Sequence, residues 1–197
     1  MTKAKKYDLA FSGCSLKYLE MVTLVEVAKG IKEPSIGGKS AYIKRKNSEL
    51  RKRINKLSLS QIDALLVGDS ILQRQLAYVS VCKAYDFIYE FIIEVLREKM
   101  IFTDHQLTEG EYLSFFRRKM IDHPELERLS NLTEKKVKQL VFRILAEAGI
   151  IDSTKTKVLQ YQILEPQLIR LIREDSPKWF EVFLLNDFEI GTYSNSL

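Results

Sequence analysis

The sequence predicts a mainly α-helical protein: a helical bundle with a small β-hairpin and a winged-helix-like C-terminal third. Three observations lead there. Only 8 Gly and 4 Pro punctuate 197 residues, too few for many short strands joined by tight turns. Apolar residues recur at helical spacing over most of the chain. The last third orders helix, turn, helix, and then β-branched residues on both sides of a polar tip. At 46% hydrophobic and 29% charged, the chain can build a sizeable core and does not resemble a disordered segment.

A first helix is predicted over residues 15–29, capped by Ser15, with Leu16, Leu19, Val22 and Val25 as its apolar contacts. Residues 30–40 hold Pro34, Gly37 and Gly38 and read as a loop. A second helix continues to about Leu57, and Ser60 caps a short helical turn broken by Gly68 and Asp69. Asp69 then caps the longest element, residues 70–100. Leu72, Leu76, Val79, Phe87, Ile88, Phe91 and Ile92 reach around most of its circumference, which predicts a buried central helix. Thr108 and Glu111 have capping-box spacing and open the next helix, which Pro124 ends or restarts.

Beyond it, residues 125–149 predict a short helix, a turn at Ser130 and Asn131, and a second helix capped by Thr133 and closed by Gly149. Residues 150–164 predict the hairpin, and Pro166 and Pro177 open two final short helices. The expected organisation is a basic helical region over residues 1–103, containing the long central helix. A helix-turn-helix and wing-like region over residues 104–197 packs with it as one unit or two small subdomains.

Several function classes drop out. Cys14 and Cys82 lie in apolar surroundings without CxxC spacing, as reduced core thiols do in a cytosolic protein. The most apolar stretch, residues 78–96, carries Lys83, Asp86, Glu90 and Glu94, too many charges for a bilayer span. A soluble cytoplasmic protein with no membrane partner is expected. Catalytic constellations are thin. His105 and His123 lack metal-ligand spacing, and His123, just before Pro124, reads as a capping or surface residue. Glu134, Lys135 and Lys136 match the Glu-x-Lys of metal-dependent nucleases, but at a predicted helix start where those enzymes need a strand. No enzymatic activity, cofactor or metal is expected.

Charge is more informative. The net charge of +5 hides an asymmetry: residues 1–56 hold 14 Lys+Arg against 5 Asp+Glu, and the remainder is net acidic. Gly37, Gly38, Lys39 and Ser40 resemble the end of a nucleotide-binding loop. The first glycine of that motif is missing, Glu33 stands in its place, and a helix precedes it where a strand is required. The next stretch of chain is a better candidate: seven Lys and Arg lie in the thirteen positions from Lys44 to Lys56. On a helix, Ile43, Leu50, Ile54 and Leu57 form one apolar seam, and Lys44, Arg45, Arg51, Lys52 and Lys56 spread over the opposite arc. Glu49 is the one acid close enough to neutralise them locally. Such an arc is either a solvated face or a surface for nucleic-acid phosphates, with Lys39 and the glycine turn holding one more.

A second basic feature lies on the helix expected around residues 134–148. Val137, Leu140, Val141, Ile144 and Ala148 make its core stripe, and Lys135, Lys136, Gln139 and Arg143 point away. The second helix of a helix-turn-helix offers such side chains to the major groove, while Lys155 and Lys157 at the hairpin tip would touch flanking phosphates.

Several stretches taken together carry a family resemblance: SGCSLKYLEMVTLVEVA, the basic helix ending in RKRINKL, VCKAYDFIYEFIIEVLREK, EYLSFFRRK and LSNLTEKKVKQLVFRILAEAGII. In order and spacing these blocks resemble the BrxA family of bacterial BREX phage-defence systems over roughly residues 7–175, with no single diagnostic motif. The resemblance implies a small, mostly helical accessory factor, similar to the NusB family of RNA-binding proteins. It also implies DNA binding beside a methyltransferase, an ATPase and a phosphatase-like protein, with no activity of its own. The expected partner is double-stranded DNA. Two other readings stay open: an adaptor for protein partners, with Tyr18, Tyr112, Phe142 and Trp179 as exposed anchors, and a NusB-like RNA binder.

Overall fold

The computed structural model describes residues 5–33 and 40–195. Its order is a short 3-10 turn, Ala10–Gly13, then α1 (Tyr18–Ala28), α2 (Ala41–Ile54), α3 (Leu59–Val67), α4 (Ser70–Ala84) and α5 (Asp86–Phe91). A π-helical stretch, Ile92–Arg97, leads into α6 (Glu98–Ile101), followed by α7 (Glu109–Met120), α8 (Asn131–Ala148) and α9 (Pro166–Asp175). A 3-10 helix, Pro177–Phe183, and α10 (Asp187–Asn195) complete the chain. The fold is mainly helical. Antiparallel pairing among the described residues consists of two isolated bridges, Gln106 with Val158 and Ile151 with Leu159. The hairpin expected over residues 150–164 is therefore a turn closed by the single Ile151–Leu159 bridge, with no strand among the described residues.

The α4 helix is the hub, packing against α1, α2, α3, α8, α9 and the 3-10 helix. Leu72 and every residue from 75 to 82 are buried, as a helix apolar on all sides requires. The expected single helix over residues 70–100 is nonetheless broken. Tyr85 takes an extended conformation (φ −133°, ψ 99°), and the chain restarts as α5. The break lets Phe87 and Phe91 meet Tyr112, Phe115 and Phe116 edge-on, with ring centroids between 5.1 and 6.4 Å.

Local signals set many boundaries correctly. The Asp69 carboxylate accepts the N–H groups of Ile71 and Leu72, a cap of about 1 kcal/mol. Thr108 and Glu111 form the reciprocal capping box. Gly149 closes α8 at φ 79°, where a side chain would be strained. Pro166 and Pro177 each open a helix.

Other boundaries move. Ser15 does not cap α1: it is buried, and the helix starts three residues later behind Lys17, which has left-handed φ. Ser58, not Ser60, caps α3 through a capping box with Gln61. Ser130, not Thr133, caps α8, accepting the Thr133 N–H at 3.2 Å. The short helix expected at residues 125–129 is a succession of turns. Two expected surface anchors, Tyr112 and Phe142, are core residues, 0% and 4% exposed, while Tyr18 and Trp179 are partly buried against the core.

Candidate nucleic-acid interface

The α2 helix begins at Ser40, whose hydroxyl accepts the Ile43 N–H. Leu50 and Ile54 are buried on its inner face, and α1, α4 and the 3-10 turn at Ala10–Gly13 pack around it. The outer face carries a groove of about 760 Å³ lined by Lys44, Asn47, Ser48, Arg51, Lys52, Asn55 and Lys56. Lys44, Arg45, Arg51 and Lys56 are exposed, and none forms an ion pair with another described residue. Lys44 to Lys56 on a rise of 1.5 Å per residue makes a cationic stripe ~18 Å long, about five base pairs of duplex.

Lys52 behaves differently. It pairs with Asp8, and its ammonium lies 4.5 Å from the centroid of the Tyr85 ring. Burial works to raise the Asp8 carboxyl, but Lys52 and the Ala10 N–H outweigh it and hold the group below its ordinary value. Lys39 and the glycine turn before α2 lie outside the described residues.

Arg53, one step further, is wholly buried. Its guanidinium donates to the carbonyls of Ser15 at 2.6 Å and Cys14 at 2.7 Å, and to the Tyr85 hydroxyl at 3.2 Å. Tyr85 in turn donates to Glu49 at 2.9 Å. Burial pushes the Tyr85 phenol up despite the nearby guanidinium, so it stays a donor. The most basic helix of the chain is thus seated by one of its own cations.

The second feature lies on α8. Val137, Val141, Ile144, Leu145 and Ala148 are buried, and Lys135, Lys136, Gln139 and Arg143 are exposed. Gln139 and Arg143 line a groove of about 570 Å³ with Lys138, Thr154, Lys157 and Glu109. That carboxylate changes the character of the site. Glu109 accepts from Lys138 at 2.7 Å and lies 3.8 Å from Lys157, and the Lys138 hydrogen bond holds its carboxyl low. Lys157 is largely covered, its ammonium 5.4 Å from the Phe142 ring centroid. Arg143 pairs with Glu147 at 2.9 Å. Lys135, Lys136 and Lys155 are exposed without an ion pair among the described residues. Glu134 stands in the first turn of α8, so the Glu-x-Lys pattern lies on a helix.

One segment borders both features. The turn at Ala10–Gly13 packs on α2 and on α8, Arg53 grips the carbonyls after it, and Glu147 accepts the Leu16 N–H at 2.8 Å. Sequence reasoning missed Arg53, because on a helical wheel it only flanks the apolar seam. It also missed His123, expected as a capping or surface residue. The imidazole is 9% exposed, stacks on Tyr7 at 3.7 Å between centroids, and faces Glu125 at 3.2 Å.

The comparisons with known proteins accord with this fold. The BrxA family model matches residues 5–176, most of the chain. The chain belongs to the BrxA family. A relative described as BREX protein BrxA, from Bacillus cereus strain H3081.97, is 27% identical over 188 residues, covering 88% of this chain and 93% of its own length. The crystal structure of an uncharacterized protein from Magnetospirillum magneticum superposes with a TM-score of 0.78. It covers 91% of this BrxA-family chain and 98% of its own at 19% identity, a likeness of fold alone. The matched residues include both α2 and α8.

Proposed function

We propose that this BrxA-family protein is a non-enzymatic accessory factor of a BREX phage-defence system that binds duplex DNA, chiefly through phosphates, by the outer face of α2. The observation that carries the reading is the set of four exposed cations, Lys44, Arg45, Arg51 and Lys56, without acidic partners among the described residues and beside an open groove. Most other long cations that approach the core are neutralised: Lys83 by Asp175, Lys99 by Asp104 and Glu111, Lys119 by Glu90 and Glu94. Unpaired cations gain on meeting phosphate because they give up no existing partner and release counterions from the DNA. The relative's name supports the defence role, and the resemblance supplies the methyltransferase, ATPase and phosphatase-like subunits as companions.

In this reading the last third is a winged helix-turn-helix. The α8 helix stands as its recognition helix, and the turn between Ile151 and Leu159 is a short wing. Lys135, Lys136 and Gln139 face a groove or a second backbone segment, and Lys155 touches a flanking phosphate. The helices preceding it form a NusB-like bundle, and the protein works in the cytoplasm. No helix among the described residues is long and apolar enough to cross a membrane.

The test is fluorescence anisotropy with labelled duplex DNA across a salt series. Four phosphate contacts give a log–log slope near ~−3.6. A combined Lys44→Glu, Arg51→Glu, Lys56→Glu variant, checked for folding by circular dichroism, should bind far more weakly and with a flatter salt dependence. A flat salt response in the unaltered protein would sink the reading.

A further inference from the structure

The segment around Val158 is paired on both sides. On one, the Asp152 N–H bonds the Val158 carbonyl and the Gln160 N–H bonds the Ile150 carbonyl, both at 2.9 Å. On the other, the Leu107 N–H reaches the Lys157 carbonyl at 3.1 Å and the Leu159 N–H reaches the His105 carbonyl at 2.7 Å. The register of the second side, Gln106 opposite Val158, would set Thr103 opposite Tyr161 and Ile101 opposite Ile163. That neighbour is missing. Ile101 ends α6, and Thr103 turns away with left-handed φ of 57°.

The chain nevertheless continues without turn or bend from Gln160 to Glu165. Among the described residues, the backbone N–H groups of Tyr161, Gln162, Ile163 and Leu164 have no hydrogen-bond partner, nor do the carbonyls of Tyr161 and Gln162. In an extended run alternate N–H groups point the same way. Those of Tyr161 and Ile163 therefore aim, like that of Leu159, toward the side its neighbour has left.

On that side lies a groove of about 280 Å³, lined by Ile101, Thr103, Tyr161, Gln162, Leu184 and Glu189 among others. Thr103 and Leu184, which line it, end helices with left-handed backbone, φ 57° and 63°. Tyr161 and Ile163 are 74% and 88% exposed, and Phe102 nearby is 77% exposed. Among the described residues Glu189 is the one charged side chain lining the groove; its Oε2 accepts the Asn186 N–H at 2.8 Å, and Oε1 has no hydrogen-bond partner among them.

We propose that residues 161–164 form an open β-edge that takes up an extended segment of a partner protein. That segment is apolar at alternate positions and carries a Lys or Arg at the end that meets Glu189. Unpaired backbone donors and acceptors are met by another backbone, and alternating apolar side chains then settle on Tyr161, Ile163 and the groove. This surface stands on different residues from the DNA-binding reading and does not depend on it.

The test is a nuclear magnetic resonance titration of the full chain with a capped heptapeptide of alternating valine and threonine, with lysine at each end. The amides of residues 161–164 should shift and exchange more slowly with solvent. A peptide N-methylated at alternate amides, which cannot pair, should bind at least tenfold more weakly. Ile163→Pro, which removes a donor that bonds nothing in the fold, and the milder Ile163→Lys should weaken binding by a similar factor while melting like the parent. No shift at millimolar peptide, or equal binding of the methylated peptide, overturns the proposal. So does a dimer of the unliganded chain that Ile163→Lys dissolves, since the edge would then belong to a second copy.

Discussion

The outer faces of α2 and α8 carry similar numbers of cations but offer them on different terms. Lys44, Arg45 and Arg51 on α2 and Lys56 just past its end form no ion pair with a described acid, whereas on and beside α8 Glu109 engages Lys138 and Lys157, and Glu147 engages Arg143. A count of Lys and Arg would rank the two faces nearly alike. What separates them is the position of two carboxylates, Glu109 and Glu147, because a cation already paired must be released before it can meet a phosphate.

The comparison is sharpest within α2 itself, between Arg51 and Arg53. Replacing Arg53 with Met leaves the carbonyls of Cys14 and Ser15 buried without donors and should cost ~2–4 kcal/mol in urea unfolding. The same change at exposed Arg51 should fall within ~0.5 kcal/mol and weaken only DNA binding. Equal costs at the two positions would erase the division between seating and binding cations. Next in size, charge reversal of Lys44, Arg51 and Lys56 should flatten the salt slope by ~2.7, against at most ~1.8 for Lys135→Glu with Lys136→Glu. The reverse ranking would move the principal DNA surface to α8.

A smaller effect works in the opposite direction. Glu109→Gln should free Lys138 and Lys157 and steepen the salt slope by ~1–2. An unchanged slope would show that those lysines face no phosphate. Smallest is the response to acid. The Asp8, Glu94 and Glu111 carboxyls are raised by burial but held below their ordinary values by the lysines they meet, Lys52, Lys119 and Lys99. A depressed carboxylate contributes stability that is present above its unfolded pKa, ~4, and is lost as pH falls through the lower folded value. Thermal midpoints should hold from neutrality to about pH 5 and fall below ~4; a midpoint flat to pH 3 would count against these pairs.

Much of the helix plan was legible because caps and glycines act locally. Asp69, Thr108 and Gly149 each reach backbone only a few residues away. The break at Tyr85 was not legible; the groups its hydroxyl meets, Glu49 and Arg53, lie more than 30 positions away in sequence. The cationic arc of α2 was visible as a periodicity. The neutralisation of individual members was not, because Asp8 lies 44 positions from Lys52 and Glu109 lies 29 from Lys138. Pairing at such separations is a property of packing. The same holds for His123, whose neighbour Tyr7 comes from the other end of the chain.

The N-terminal segment has a consequence for the order of assembly. Tyr7 bonds Glu90 and Glu125, the Cys14 and Ser15 carbonyls wait for Arg53, and the Leu16 amide waits for Glu147. These residues are made before the groups they meet, and the last of those partners comes some 130 positions later. The segment that braces α2 therefore completes its contacts late in synthesis. Until α8 has been synthesised, α2 is held by only part of its support.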